Sequence, residues 1–222
     1  MAGERTCLPG ESDVIVPESL FEASVSNNEW LKSWLQARHS LEEVRVILDD
    51  CTRCRLHESR TNLVFGKGSP AAEVLLVGEA PGRQEDKRGE PFVGAAGRML
   101  TKMINSIGLD RSEVYITNVV KSRPPNNRLP KPDEIQACLP YLKMEIAVIK
   151  PRVICTLGRT AAHALLHSDK QLSRLRKAAH AYESIPVVTT YHPASLWRNP
   201  AWMDDAWDDM QMVLKILRSS KE

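Results

Sequence analysis

Four side chains, far apart along the chain, have the types and settings to do chemistry: Glu79, Phe92, Asn118 and His192. His192 stands before Pro193, just after the apolar run Val187–Tyr191. An imidazole there either donates a hydrogen bond to a developing anion or is a plain surface histidine. Glu79 opens a glycine-rich stretch. Its carboxylate orients water or steadies a developing cation, or else braces the loop, a role that suits Glu85 better. Asn118 closes the run Val114–Thr117; its amide offers a donor and an acceptor together, which suits the edge of a nucleobase as well as a turn. Phe92, in a polar glycine-rich setting, either stacks on a flat ligand or plugs the loop onto the core.

Two further groups stand out. The chain has five cysteines, Cys7, Cys51, Cys54, Cys138 and Cys155. An odd count and no apolar leader argue against a disulfide framework. The close pair Cys51 and Cys54 reads as ligands of a metal or cluster, or as a redox or incidental pair, and Cys155 reads as a core residue. Lys121, Arg123, Arg128 and Lys131 lie among prolines in a basic loop suited to phosphates, or simply solvated. Leu196-Trp197-Arg198, just past His192, is apolar where a loop is expected. It either wedges into a duplex or packs on the last helix.

These residues need elements to bring them together. Apolar runs predict strands at about 73–77, 114–120, 152–157 and 186–191. Helical spacing predicts helices at about 95–107, 132–149, 159–167 and 203–218, with two more before Cys51. Ser40 and Glu43 form a capping box at the start of the second of these. Residues 60–70 read as loop and 168–184 as basic and irregular. Residues 1–28 are polar, with few apolar anchors, and read as a disordered extension ahead of a single domain at 29–222. Strand–helix alternation implies an α/β fold, a parallel sheet with helices on both faces. Right-handed crossovers then place every strand's carboxyl end on one edge, where ligands of such sheets sit. The loop 78–97, Asn118 with the basic loop, Gly158, and His192-Pro193 all fall at those ends.

Composition narrows the classes. A net charge of +2 over 222 residues gives no global field for nucleic acid, so any basic surface is local. No run reaches membrane-spanning length and no secretory leader is visible, so an intracellular, cytoplasmic protein with no membrane partner is expected. The sequence Gly78-Glu79-Ala80-Pro81-Gly82-Arg83-Gln84 lacks the lysine of a phosphate-binding loop. No dinucleotide fingerprint and no Ser-His-Asp arrangement is legible.

Three long motifs in order resemble the family 4, iron–sulfur uracil-DNA glycosylases. The first is Gly78-Glu79-Ala80-Pro81-Gly82 with Glu85-Asp86 and Gly89 to Gly97; the second is Thr117 to Lys121 with Arg123-Pro124-Pro125 and Asn127-Arg128; the third is Thr190 to Ala194 with Arg198-Asn199-Pro200. The resemblance spans about 45–218 and implies a three-layer α/β/α fold with a central four-stranded parallel sheet. It implies hydrolysis of the N-glycosidic bond of deoxyuridine in single- or double-stranded DNA, by a monomer. It further implies that Phe92 stacks on the flipped uracil, Asn118 reads its edge and His192 steadies the leaving anion. Glu79 would sit near the sugar and the attacking water, with Gly78, Ala80 and Gln84 around base and water. Lys121, Arg123, Arg128, Leu196 and Arg198 would meet DNA.

The family's [4Fe–4S] cluster uses four cysteines. Cys51, Cys54 and Cys138 match three, and Ser122 stands at the fourth. Thiolates are the usual ligands of such clusters. Three outcomes stay open: a cluster with Ser122 or water on one iron, a three-iron cluster, or none. A structural cluster pinning residues 45–60 to the basic loop is the expectation. A covalently trapping relative carries a histidine-containing insertion that Asp86-Lys87-Arg88-Gly89 lacks. The rival class is a DNA-binding member of the fold that has lost catalysis or its cluster.

Overall fold

The apolar runs form the sheet. In the computed structural model, which describes Leu31, Trp34, Leu35 and residues 39–219, six strands pair in one sheet. They are β1 (Lys67–Gly68), β2 (Val74–Gly78), β3 (Tyr115–Asn118), β4 (Val153–Leu157), β5 (His180–Tyr182) and β6 (Ile185–Thr190), in the order β1-β3-β2-β4-β6-β5. The central four are parallel, as expected, and β1 and β5 add a short antiparallel strand at each edge. Strands of two and three residues are too short to show an alternation, so residues expected to be loop supply both edges.

The strand residues alternate between two cores. Val74 and Leu76 face one side, with Leu100 and Ile104 of α3 (Ala95–Ser106) and Met210 and Val213 of α8 (Met203–Ser219). Leu75 and Val77 face the other, with Leu142 and Ile146 of α4 (Pro132–Ile149) and Leu165 of α5 (Arg159–Leu166). The sheet is thus covered on both faces. Ahead of it, α1 (Leu41–Leu48) opens on the Ser40–Glu43 capping box and lays Val44, Ile47 and Leu48 on Tyr141 and Met144 of α4. Of the expected N-terminal extension, residues 1–28 lie outside the described residues, as does Cys7.

Three helices occupy stretches expected to be loop. They are α2 (Arg83–Arg88), α6 (Leu172–Leu175) and α7 (Pro193–Arg198). Proline suits the first position of a helix, where its missing N–H costs nothing, and Pro193 takes that position in α7. No helix among the described residues is long and apolar enough to cross a membrane.

Candidate active site

Sheet register decides which distant residues meet. Gly78 pairs with Asn118, so the exits of β2 and β3 stand side by side. Leu157 pairs with Thr190, and Gly158 N–H donates to Thr190 O at 2.8 Å, which sets the exits of β4 and β6 side by side. The chain leaves β2 toward β3 and later returns to β4 on the other side. A crevice at that reversal is where ligands of open α/β sheets bind. A cleft of about 1080 Å³ opens there, lined by Glu79, Phe92, Asn118, Gly158 and His192 among others.

The floor is tightly built. The Phe92 ring lies 5.8 Å from that of His192 at an interplanar angle of 32°. Phe92 is both core and wall: it packs with Leu100 and Leu157, yet lines the cleft. Its φ of 51° lies in the left-handed region, which side chains larger than Asn rarely adopt. Gly78 is buried beneath the wall. A Cβ there would lie 2.3 Å from Asn118 Oδ1 and 2.6 Å from Phe92 Cζ, so only glycine lets the ring and the amide close over it. Glu85 sits behind the wall, accepting from the N–H groups of Val93 and Gly94 at 3.0 and 2.9 Å. It is the loop brace that its position suggested. Ala80 and Gln84 line the cleft beside Glu79.

Two polar atoms on the floor are left for a ligand. Asn118 Oδ1 is buried and accepts no hydrogen bond. Buried acceptors are nearly always paired, so an orphan facing a cleft calls for a donor from outside. His192 Nδ1 accepts from the N–H of Ala194 at 3.2 Å. The single proton of the neutral ring therefore sits on Nε2, which bonds nothing among the described residues. Burial, with the Arg198 guanidinium nearby, pushes the His192 pKa down to about 4, so the ring is neutral at physiological pH. Glu79, on the β4 side, accepts from the Thr160 hydroxyl of α5. Thr160 follows Gly158 at a strand exit, and that position was the signal by which sequence could have found it.

The five residues expected to meet DNA part company. Lys121 is buried at 1% exposure, its ammonium paired with buried Glu145 and donating to Thr117 Oγ1 and to the Asn118 carbonyl at 2.6 and 2.9 Å. It has no surface to offer a phosphate, which corrects the expectation. Leu196 is likewise corrected: on α7 it turns inward and packs at 2% exposure with Leu157 and Met210, while Trp197 is 60% exposed. Arg123 lies outside the cleft lining and donates to Asn127 Oδ1 at 2.7 Å. Arg128 lines the cleft, held by Glu134 through two hydrogen bonds of 2.8 and 2.6 Å. Arg198 is exposed on the lining.

The sequence matches known proteins over most of its length. The uracil DNA glycosylase superfamily model matches residues 65–211. The chain belongs to the uracil DNA glycosylase superfamily. Among relatives, the Type-4 uracil-DNA glycosylase of Sulfurisphaera tokodaii is 47% identical over 191 residues, 82% of this chain and 87% of that protein. The Archaeoglobus fulgidus Type-4 uracil-DNA glycosylase is 42% identical over 182 residues, covering 78% and 92%, and that of Thermotoga maritima 42% over 168 residues, covering 72% and 87%.

In this superfamily member, a second polar cluster lies away from the cleft. Cys51 and Cys54 are half-buried and Cys138 is buried, and both neighbours stand close enough to reinforce the rise of the Cys138 pKa, pushed to about 12 chiefly by burial. The Lys121 N–H donates to Cys138 Sγ at 3.2 Å. Arg60 donates to the Cys51 carbonyl at 2.5 Å and to Ser122 Oγ at 3.2 Å. Among the described residues no three His, Cys, Asp or Glu side chains form a group that could hold a single metal ion.

Proposed function

We propose that this chain removes uracil from DNA by hydrolysing its N-glycosidic bond, leaving an abasic site. The observation that carries it is the pair of unspent hydrogen-bonding atoms beside Phe92: the Asn118 acceptor and the His192 Nε2–H donor. Uracil presents an N3–H flanked by two carbonyl oxygens. Its N–H meets Asn118 Oδ1, one carbonyl meets His192 Nε2–H, and the ring lies on Phe92. Cytosine carries a bare lone pair at N3, which would face the Asn118 oxygen and repel it. A site built to pair a donor rejects the analogue that lacks one.

The same geometry suits the charge separation of the reaction. As the glycosidic bond breaks, negative charge moves onto the base carbonyls and positive charge onto the sugar. A neutral imidazole donating to the oxygen stabilises the first without giving up its proton. Glu79, oriented by Thr160, stands to stabilise the second and to direct water. The relatives named above, Type-4 uracil-DNA glycosylases, support this choice of substrate.

The iron–sulfur expectation belongs to the same proposal. The donor chemistry supports it at three positions, where Cys51, Cys54 and Cys138 offer thiols; at the fourth, the Ser122 hydroxyl is not a thiolate and already accepts from Arg60. When bound, such a cluster would supply cross-links between the 51–54 segment and α4. Iron analysis and visible absorption of anaerobically purified protein decide it.

The function is tested with uracil-containing oligonucleotides, single- and double-stranded, scored for alkali-labile breaks. Breaks at uracil and at no cytosine are expected. Binding without breaks identifies the non-catalytic DNA-binding alternative, for which Ser122 is the one supporting observation.

A further inference from the structure

In the proposed function the uracil ring lies on Phe92, yet the Phe92 backbone is held where a phenylalanine rarely rests. A φ of 51° costs such a residue free energy, and it persists only where the surroundings over-determine it. Two restraints act from the residues that follow. Buried Glu85 takes the N–H groups of Val93 and Gly94 at 3.0 and 2.9 Å. The first turn of α3 presses so closely that a Cβ on Gly97 would lie 1.8 Å from the Phe92 carbonyl oxygen.

The restraint from the preceding side is Arg111. Its Nη2 donates to the carbonyl of Pro91, the residue just before Phe92, at 2.8 Å. Its Nη1 donates to Thr101 Oγ1 at 3.4 Å, and that hydroxyl donates to the Gly97 carbonyl at 3.1 Å, so the guanidinium also meets α3. Arg111 is half-buried with Glu85 and Glu90 nearby, yet both of these hydrogen bonds go to a carbonyl and a hydroxyl rather than to a carboxylate. Glu90 pairs instead with Lys67 of β1 at 2.6 Å. A desolvated cation spent on a backbone carbonyl fixes that peptide through a charge-assisted bond, stronger than a neutral one. The turn that carries Arg111 is firm as well. Asp110 Oδ1 accepts from the N–H and the hydroxyl of Ser112 at 2.8 and 2.6 Å, and Glu113 Oε2 accepts from the Asp110 N–H at 2.6 Å. Arg111 therefore reaches Pro91 from a braced turn, the one that leads into β3 and on to Asn118.

We propose that Arg111 is a positioning residue for base binding: by holding the Pro91 carbonyl it keeps the Phe92 ring turned against the uracil. The proposal rests on the excision reading above. Arg111 lies outside the cleft lining and acts only through Phe92. Without it, the peptide between Pro91 and Phe92 turns toward an ordinary negative φ, and the ring leaves its place 5.8 Å from that of His192.

Excision from a single-stranded uracil oligonucleotide, with free uracil as the competing probe, tests it. The proteins are wild type, Arg111→Met, Arg111→Lys, Phe92→Leu, and Arg111→Met combined with Phe92→Leu. Arg111→Met should raise the Ki of free uracil about tenfold, roughly the loss of one base–aromatic stack, and raise KM with it. The saturated single-turnover rate should change less, because stacking serves bound substrate and transition state alike. Arg111→Lys keeps a donor and should show a smaller rise. In Phe92→Leu the Ki is already raised, and adding Arg111→Met should raise it no further, as expected of two residues that act as one. Partial unfolding lowers the amount of active enzyme and leaves its Ki unchanged, so the Ki reads position rather than stability. Should Arg111→Met not fold, Arg111→Lys takes its place in the cycle. An unchanged Ki in the folded arginine variant, or losses that add in the double variant, overturns the positioning role while excision stands. Wild-type protein that leaves uracil in every strand overturns the excision reading and the positioning role with it.

Discussion

Two ion pairs tie the segment after β3 to α4, and they are built to opposite ends. At the inner end Lys121 meets Glu145 with neither side chain exposed; at the outer end Arg128 meets a buried Glu134 with a third of its own side chain still in solvent. The inner ammonium has spent its donors on Glu145, Thr117 and the Asn118 carbonyl. The carboxylate below it also accepts from the Tyr115 hydroxyl and the Gly66 N–H at 3.3 and 3.2 Å. The outer guanidinium keeps a free face on the cleft. Charge in a loop therefore says little about binding until its partner is known. Paired inside, it fixes the backbone that carries Asn118. Paired at the rim, it stays available to an anion.

Breaking the inner pair gives the largest effect. Lys121→Met strands the Glu145 carboxylate in the core, and losing one partner of a buried pair costs about 3–5 kcal/mol. Urea melts should show that loss with an unchanged slope, and Lys121→Met with Glu145→Gln should recover part of it. A melting midpoint that does not move would mean that Lys121 is not buried as described.

The floor comes next, and its effect is on rate. His192→Ala removes the Nε2–H donor but no core side chain, so turnover should fall by about 10²–10³, near 3 kcal/mol in the barrier. Its melting temperature should stay close to that of wild type. Single-turnover excision alongside calorimetry separates the two. Equal losses in rate and stability would place His192 with Lys121 as a structural residue.

Titration sharpens the same contrast. Burial depresses the His192 pKa from 6.5 to about 4 in the folded chain. The unfolded chain takes up that proton first as the pH falls below its ordinary value, so this group lowers stability progressively from about 6.5 downward. The loss is complete once the pH has passed about 4. The neutral donor persists through that window, so the single-turnover rate should hold level down to about pH 5 on account of this residue. An acid limb centred at 6.5 that vanishes in His192→Gln would show an ordinary, solvated imidazole.

The sequence made some of this legible and hid the rest for physical reasons. The central strands and α4 stood out because buried runs and a long apolar stripe are strong signals. The convergence of Glu79, Phe92, Asn118 and His192 followed from strand exits sharing one edge. Lys121 was misplaced because its partner lies 24 residues on. Yet Glu145 interrupts the face carrying Leu142, Ile146 and Ile149, and a carboxylate in such a stripe announces a buried cation. Leu196 was misplaced because residues after His192 looked like loop. With Pro193 at the first position of a helix, the turn of α7 that faces the core takes Leu196 and leaves Trp197 and Arg198 outside.

The outer pair should give the smallest effect, and its breaking must avoid stranding Glu134. Arg128→Gln combined with Glu134→Gln removes both charges while keeping amide donors and acceptors of similar shape. Stability should change little, because a half-exposed pair contributes little net energy. If Arg128 meets a phosphate, log affinity against log salt should lose about 0.9 of slope on duplex DNA, whatever the sequence. The same pair of substitutions should leave discrimination between uracil and cytosine as it was, since the proposed function assigns that to Asn118. A changed base preference with an unchanged salt slope would reverse the assignment, making the rim a reader of the base rather than a grip on the backbone.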